Sequence, residues 1–257
     1  MNYYAATKSE HIALEFSALA KASTPVKGVD LWFLDLSKIA VSDGETFTQL
    51  LSEKELERAQ QFKKNQHHFL ATRALTRKVL AHYTGIPPHK LHIARTDDGK
   101  PFLAETPHPL YFNLTHSGNF AALAVTSLGE LGVDIETARN RSYLQIVERY
   151  FHPDEIKHLH DCEEALQQQL FYRLWTLKEA FFKATGTGIS TGLEKVYFSF
   201  QDDTITANFS PVLNVQKNEW QFYQEFISDK TVVAVALNSI EKIQHQWFDG
   251  NSLLTAE

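Results

Sequence analysis

Phe120-Ala-Ala-Leu-Ala-Val-Thr-Ser127 and Val232-Val-Ala-Val-Ala-Leu-Asn-Ser239 are two Ala/Val-rich strand candidates at corresponding places in the two halves of the chain. Working outward from each, the same order of elements appears. Ahead of the first lie strand candidates at 91–95 and 110–115, and before them a long helix from about His67 to Tyr83, stopped by Gly85 and the Pro87-Pro88 pair. Ahead of the second lie strand candidates at 195–201, 204–209 and 220–227, and before them a helix over 164–184 closed by Gly186 and Gly188. Each half therefore reads as a long helix, then several strands, with an Ala/Val-rich strand last. The expected fold is α/β (α+β), built as two similar lobes, 1–128 and 129–257, with the boundary near Gly129. Pockets favour interfaces between such lobes, so a site between them is the natural expectation.

Composition narrows the class. The chain has 257 residues, 43% of them hydrophobic, enough for a sizeable core and too many for a disordered segment. Its formal net charge of -6 gives no general basic footprint for nucleic acid. The single cysteine, Cys162, excludes a disulfide framework within the chain. Met1 to Glu10 shows no basic segment followed by an apolar run, and no apolar run approaches the roughly 20 residues of a membrane span. The expected location is cytoplasmic, with no membrane partner.

Polar residues in the remaining elements carry the chemistry. In Leu131-Gly-Val-Asp-Ile-Glu136, Asp134 and Glu136 are two apart on an expected strand and share a face. They form either a solvent-facing polar edge or a hard oxygen site suited to Mg²⁺. In Trp175-Thr-Leu-Lys-Glu-Ala-Phe-Phe-Lys183, Trp175, Glu179 and Lys183 recur at i, i+4 and i+8 on one helical face. Glu179 and Lys183 are either a surface ion pair or a metal ligand and a phosphate contact. Asp97-Asp-Gly-Lys-Pro101 is a turn, and Phe112-Asn-Leu-Thr-His-Ser-Gly118 a strand running into a turn, offering Lys100, Thr115 and His116 as donors. Arg58, Arg73 and Arg77 are either phosphate ligands or a solvated basic face. Ser52 with Glu55 has the spacing of a capping box and should open a short helix ending near Lys64.

Taken in order, Gly-Lys-Pro, Phe-Asn-x-Thr-His-Ser, Gly-Val-Asp-Ile-Glu and Trp-Thr-x-Lys-Glu-Ala-x-x-Lys resemble the Sfp-type 4'-phosphopantetheinyl transferase family. The resemblance runs over about residues 50 to 240. It implies two pseudo-twofold related lobes with the active site between them, and transfer of the 4'-phosphopantetheine arm of coenzyme A to a serine of an apo acyl or peptidyl carrier protein. Asp134, Glu136 and Glu179 are the implied Mg²⁺ ligands, and Asp134, Glu179 and Lys183 the implied catalytic set, with Glu179 as general base. Lys183 is implied at the pyrophosphate; Lys100, Thr115 and His116 are implied at the phosphoadenosine end of coenzyme A. Trp175 is expected to pack and position its helix. Lys178 matches the motif without an implied role. Where the family often carries an arginine near the start of the first long helix, this chain has His68, and Arg58 is the candidate substitute.

Two rival readings keep the same residues: a Mg²⁺-dependent phosphatase or nucleotide hydrolase, and a non-catalytic scaffold that binds carrier proteins. Two lobes in one chain supply a complete cleft, so the expected state is a monomer. The carrier surface is expected between the two metal motifs, from Arg139 to Leu170, where Arg139, Arg141 and Arg149 are interleaved with Tyr143, Leu144, Ile146 and Val147. The same stretch also reads as an amphipathic helix packed on the C-terminal lobe.

Overall fold

A computed structural model describes residues 14–17, 28–139, 143–189, 192–202 and 204–255. The chain forms two compact units, one of Glu15–Leu128 with Ile243–Glu257, the other including Gly129–Lys242.

The first unit opens with β1 (Val29–Asp35) and continues through α1 (Gly44–Thr48), α2 (Glu53–Ala59) and the long α3 (Gln66–Thr84). A short hairpin follows, β2 (Ile93–Arg95) with β3 (Pro101–Leu103), then β4 (Tyr111–Ser117) and β5 (Phe120–Thr126). β5 pairs antiparallel with both β1 and β4. Leu70, Ala71, Ala74, Leu75, Val79 and Leu80 share one stripe of α3 and bury it in a core with Trp32, Leu34, Leu123 and Val125. Gly85, at φ 71°, ends α3 with its N–H on the Ala81 carbonyl, the left-handed cap that glycine adopts without a Cβ penalty.

The second unit repeats this order. β6 (Leu131–Thr137) is followed by α4 (Leu144–Tyr150), α5 (Pro153–Asp161) and the long α6 (Glu164–Thr185). The hairpin is β7 (Val196–Gln201) with β8 (Thr204–Phe209), then come β9 (Trp220–Ser228) and β10 (Thr231–Asn238). β10 pairs antiparallel with both β6 and β9. The echoing stretches of sequence are thus the same strand in each unit: the last, lying between the opening strand and the one before it. Both are buried along nearly their whole length, which is why both are rich in Ala and Val.

The chain then returns to the first unit. β11 (His245–Asp249) pairs parallel with β1, and α7 (Gly250–Thr255) follows. A division at 128/129 places this segment in the C-terminal lobe; β11 instead joins the sheet of the first unit. Its aromatic side chains supply the reason. Phe248 stacks on Trp32 at 4.7 Å between ring centroids, and both are buried. Gln246 donates to Asp30 at 2.8 Å, an acid that also accepts from Tyr83.

The capping box forms as expected, with Ser52 accepting from the Glu55 backbone and Glu55 reaching back to the Ser52 N–H at 3.0 Å. The helix it opens ends at Ala59, short of Lys64. The next bonds tighten to the i→i+3 type at Gln61 and Phe62, and Asn65 takes a left-handed φ of 55°. The intervening residues, all exposed, have no apolar face to prolong a helix. Within the stretch from Arg139 to Leu170, α4 begins at Leu144; Arg141 and Ser142 lie outside the described residues.

Arg77 fits neither reading offered for it. It is 2% exposed, with Nε 2.6 Å from Glu55 Oε2 and Nη1 donating to the carbonyls of Pro88 and Leu91 at 2.6 and 3.2 Å. It ties the capping box of α2 to the turn after α3. Replacing it with methionine strands the partly buried Glu55 carboxylate and two carbonyls. Arg77→Met is expected to lower the unfolding free energy by about 3 kcal/mol. Urea titration checks this, and a loss below about 1 kcal/mol, the worth of an exposed pair, would contradict it.

Candidate active site

The second unit gathers its acids by bringing a helix unusually close to a strand. Gly132 opens the polar face of β6, and a Cβ built there would lie 2.0 Å from the Ala180 carbonyl oxygen and 2.5 Å from the Ala184 nitrogen of α6. Opposite Gly132 and Asp134 on β10 stand Ala236 and Ala234. Small residues on strand and helix alike let the backbones approach. Asp134 and Glu136 follow Gly132 at two-residue steps, so they share the face that α6 covers. Glu179 and Lys183 recur one helical turn apart on α6.

Lys183 Nζ donates to Asp134 Oδ1 at 2.6 Å. Asp134 is 3% exposed, so the solvent-facing edge offered for this strand does not form. Glu136, Glu179 and Lys183 are half-buried. Burial pushes the Asp134 carboxyl up to about 7; Lys183 opposes that shift, while Glu179 and Glu136 add to it. Glu179 is raised by burial too, with Lys183 pulling down and Glu136 pushing up. These acids therefore feel one another's charge. Trp175 packs as expected, its ring 5.8 Å from Phe171 and 6.5 Å from Phe151.

The donor set fits Mg²⁺ in a particular way. It is all oxygen, as that ion requires. Among the described residues, no three His, Cys, Asp or Glu side chains form a ready-made cage. Mg²⁺ commonly takes only one or two carboxylates and completes its shell with water and substrate phosphate, which suits an arrangement of this kind.

Of the coenzyme-binding candidates, Asp134, Glu179 and Lys183 lie in the second unit, and those for the phosphoadenosine end, Lys100, Thr115, His116 and Arg58, lie in the first. Lys100 is half-buried in the turn between β2 and β3, where Gly99 takes φ 85° and the Thr96 N–H bonds the Lys100 carbonyl at 2.9 Å. Thr115 is buried and His116 exposed, next to each other on β4. His68, at the start of α3, is held below the usual imidazole range by burial, and the charges of His67 and His116 push the same way. The electrostatics thus tie the first turn of α3 to His116. Arg58 is exposed on α2, bonded to Gln61, with its guanidinium 5.8 Å over Phe62. Phe62 stacks on Phe69, and Arg73 lies 5.3 Å over Phe69. Burial lowers the Arg73 pKa; Glu55 opposes, and Arg95 and Arg77 push the same way. Arg95 also donates to the Gly99 carbonyl at 2.6 Å. It is the basic neighbour of Lys100 that the sequence reading passed over, because a strand-end arginine has no periodicity to mark it.

Two family descriptions match the chain: the 4'-phosphopantetheinyl transferase superfamily over residues 130–236, and the N-terminal region of 4'-phosphopantetheinyl transferase over residues 41–128. The 4'-phosphopantetheinyl transferase HetI of Nostoc sp. is 32% identical over 214 residues, 81% of this chain and 87% of that protein. The slr0495 protein of Synechocystis sp., which carries the same transferase name, is 37% identical over 154 residues, 58% of this chain and 63% of that protein's length. A crystal structure of a holo-(acyl-carrier-protein) synthase from Bacillus anthracis, in complex with coenzyme A as 3',5'-ADP, is 22% identical and covers 39% of this chain and 94% of that one, at a TM-score of 0.31. The chain belongs to the 4'-phosphopantetheinyl transferase superfamily.

The Gly132 contact can be tested without substrate. A methyl group at 132 has no room against the α6 backbone, so strand and helix must separate. Gly132→Ala is expected to cost about 1–3 kcal/mol by overpacking. It should also lengthen the Lys183–Asp134 pair, visible in a crystal structure of the variant. An undisturbed pair with unchanged stability would show that the approach is looser than described.

Proposed function

We propose that this chain transfers the 4'-phosphopantetheine arm of coenzyme A to a serine of a small acidic carrier protein, releasing 3',5'-adenosine bisphosphate. The observation that carries the reading is the Asp134–Lys183 contact with Glu136 and Glu179 around it, in a chain of this family. Asp134, Glu136 and Glu179 are the acids from which Mg²⁺ would take one or two carboxylate ligands, and it would offset charge on the pyrophosphate. Lys183 sits beside the buried acid and supplies a second cation to the same phosphates. Glu179, its carboxyl raised by burial and by Glu136, accepts the serine proton as the new bond to phosphorus forms. Phosphoryl transfer of this type depends mainly on positioning and charge stabilisation, which rigidly mounted acids and a lysine provide. Lys100, Thr115 and His116 take the phosphoadenosine end, with Arg58 and His68 as the further basic groups for its phosphate.

The carrier surface is proposed on α4. Leu144 and Tyr150 are exposed, Arg149 lies 5.1 Å over Tyr150, and Val147 alone of that helix is fully buried. Arg139 is exposed just ahead of it. The enzyme is acidic overall, so a local apolar and basic face is what an acidic carrier would find.

Asp134→Ala, Glu136→Ala and Glu179→Ala are each expected to lower transfer on the order of a hundredfold or more while leaving a folded protein, as loss of a transition-state charge contact does. Mass spectrometry of an apo-carrier after incubation with coenzyme A and Mg²⁺ reads the added arm directly. Three variants working at the wild-type rate would refute the assignment. Hydrolysis of phosphate esters without modification of any carrier would favour the hydrolase reading instead.

The two substrates should separate kinetically. Lys100→Ala and His116→Ala are expected to raise KM for coenzyme A with kcat nearly kept, the mark of lost uniform binding. Arg149→Glu should raise KM for the carrier instead, and the effect should shrink in high salt. Collapse of kcat in the first pair, or carrier kinetics indifferent to the third at low salt, would move those residues to other roles.

A further inference from the structure

Lys178 stands next to Glu179 in the sequence, yet it cannot meet a substrate. It is fully buried, and each of its N–H bonds has an acceptor inside the protein. Nζ lies 2.7 Å from Glu155 Oε2, donates to the Leu193 carbonyl at 2.9 Å and donates to the Val196 carbonyl. Glu155, 1% exposed, accepts in turn from the backbone N–H of Phe198 at 2.9 Å and of His152 at 3.2 Å. The Phe151 ring covers the ammonium at 5.1 Å. One buried ion pair thus joins the middle of α6 to the first turn of α5, the turn at Leu193–Lys195 and the start of β7.

We propose that the Lys178–Glu155 pair is the mount that fixes the rotation of α6 and so aims Glu179 and Lys183 at Asp134; Lys178 is a positioning residue for the transfer, an inference that rests on the site reading above. The geometry leaves little else for the pair to do. Gly132 fixes how closely α6 approaches β6, but a smooth backbone contact does not fix the angle of the helix about its own axis. Successive residues of a helix are about 100° apart, so a rotation that relaxed Lys178 would swing Glu179 and Lys183 by the same angle. The apolar stripe of α6 and the Gln224 bonds to Arg173 and Thr176 resist that rotation too, and the Lys178 anchor adds three directional contacts beside Glu179. Stability is a poor reason for such a pair, because replacing both partners with apolar residues of similar size is often neutral or stabilising.

The test uses that asymmetry. Glu155→Leu combined with Lys178→Met removes both charges and leaves neither stranded. The double variant is expected to stay folded with a lowered melting temperature, because the Leu193 and Val196 carbonyls and the Phe198 N–H lose their partners, to keep its KM for coenzyme A, and to lose kcat on the order of a hundredfold, the usual result of misplacing catalytic groups by about an ångström. A purely structural role would lower the melting temperature alone and spare the kcat of the protein that remains folded. A folded double variant with wild-type kcat would overturn the proposal. If the double variant does not fold, Glu155→Gln, which keeps the shape and the Phe198 bond, carries the same test: a folded protein with unchanged kcat overturns the mount, and a lowered kcat at unchanged KM supports it. Hydrogen exchange reads the mount without activity. Amides of α6 from 176 to 184 should exchange faster in the variant while β9 and β10 stay protected; unchanged α6 protection would overturn it. Should the wild-type chain modify no carrier, the function reading fails by itself, and the exchange result still decides the mount.

Discussion

The contact of Gly132 with the backbone of α6 is the constraint on which the rest of the second unit depends. Because no side chain intervenes there, the helix lies against the sheet at the one place where the strand turns from small to acidic. Two residues further along β6, Asp134 is then under the helix rather than in water, and its carboxylate must find a cation. Lys183 is the cation that the helix delivers, at 2.6 Å. The raised pKa of Asp134, the half-buried Glu179 and the crowded charges around them all follow from how near the two backbones lie. With a bulkier residue at 132, the acids would sit on an ordinary solvated edge.

This close packing crowds acids together out of water. Desolvation raises Asp134 and Glu179 together, and each acid is pushed further by an acidic neighbour. Carboxylates perturbed by burial and by acidic neighbours in this way cluster at functional sites. The Lys178–Glu155 pair, with Lys178 next to Glu179 on the same helix, joins opposite charges. There each charge has its partner and the surrounding backbone satisfies what remains.

Much of the fold was legible because its signals are local. The box at Ser52 and Glu55, the glycine after α3 and the alternation of Leu131–Glu136 each determine an element from a few neighbouring residues. The repeat was legible because both central strands are buried on two faces and so share a composition. What escaped was non-local. Nothing in His245–Asp249 says that it will pair with a strand more than two hundred residues earlier, and the short β3 hid inside a turn signal. Among the candidate site residues, Asp134 and Glu179 were singled out by spacing and given a role only by the family resemblance, and spacing could not say that Asp134 is buried. Arg77 was misread for the same reason: an arginine at helical spacing looks identical whether it faces water or caps a buried turn. The role of Lys178 needed the position of Glu155, which depends on how α5 packs.

The return of β11 to the side of β1 has a consequence for the order in which the protein is made. The strand that completes the first sheet emerges from the ribosome only after the whole of Gly129–Lys242 has been synthesised. Until then β1, the strand carrying Trp32 and Asp30, has a vacant flank, and Trp32 lacks the ring that stacks on it. The inserted unit contains all of its own strands in continuous sequence and can close first. Domains generally fold as units during synthesis, and an unpaired strand edge is where misassembly begins. The first unit is therefore the part whose sheet closes later, and His245–Asp249 is the strand that closes it.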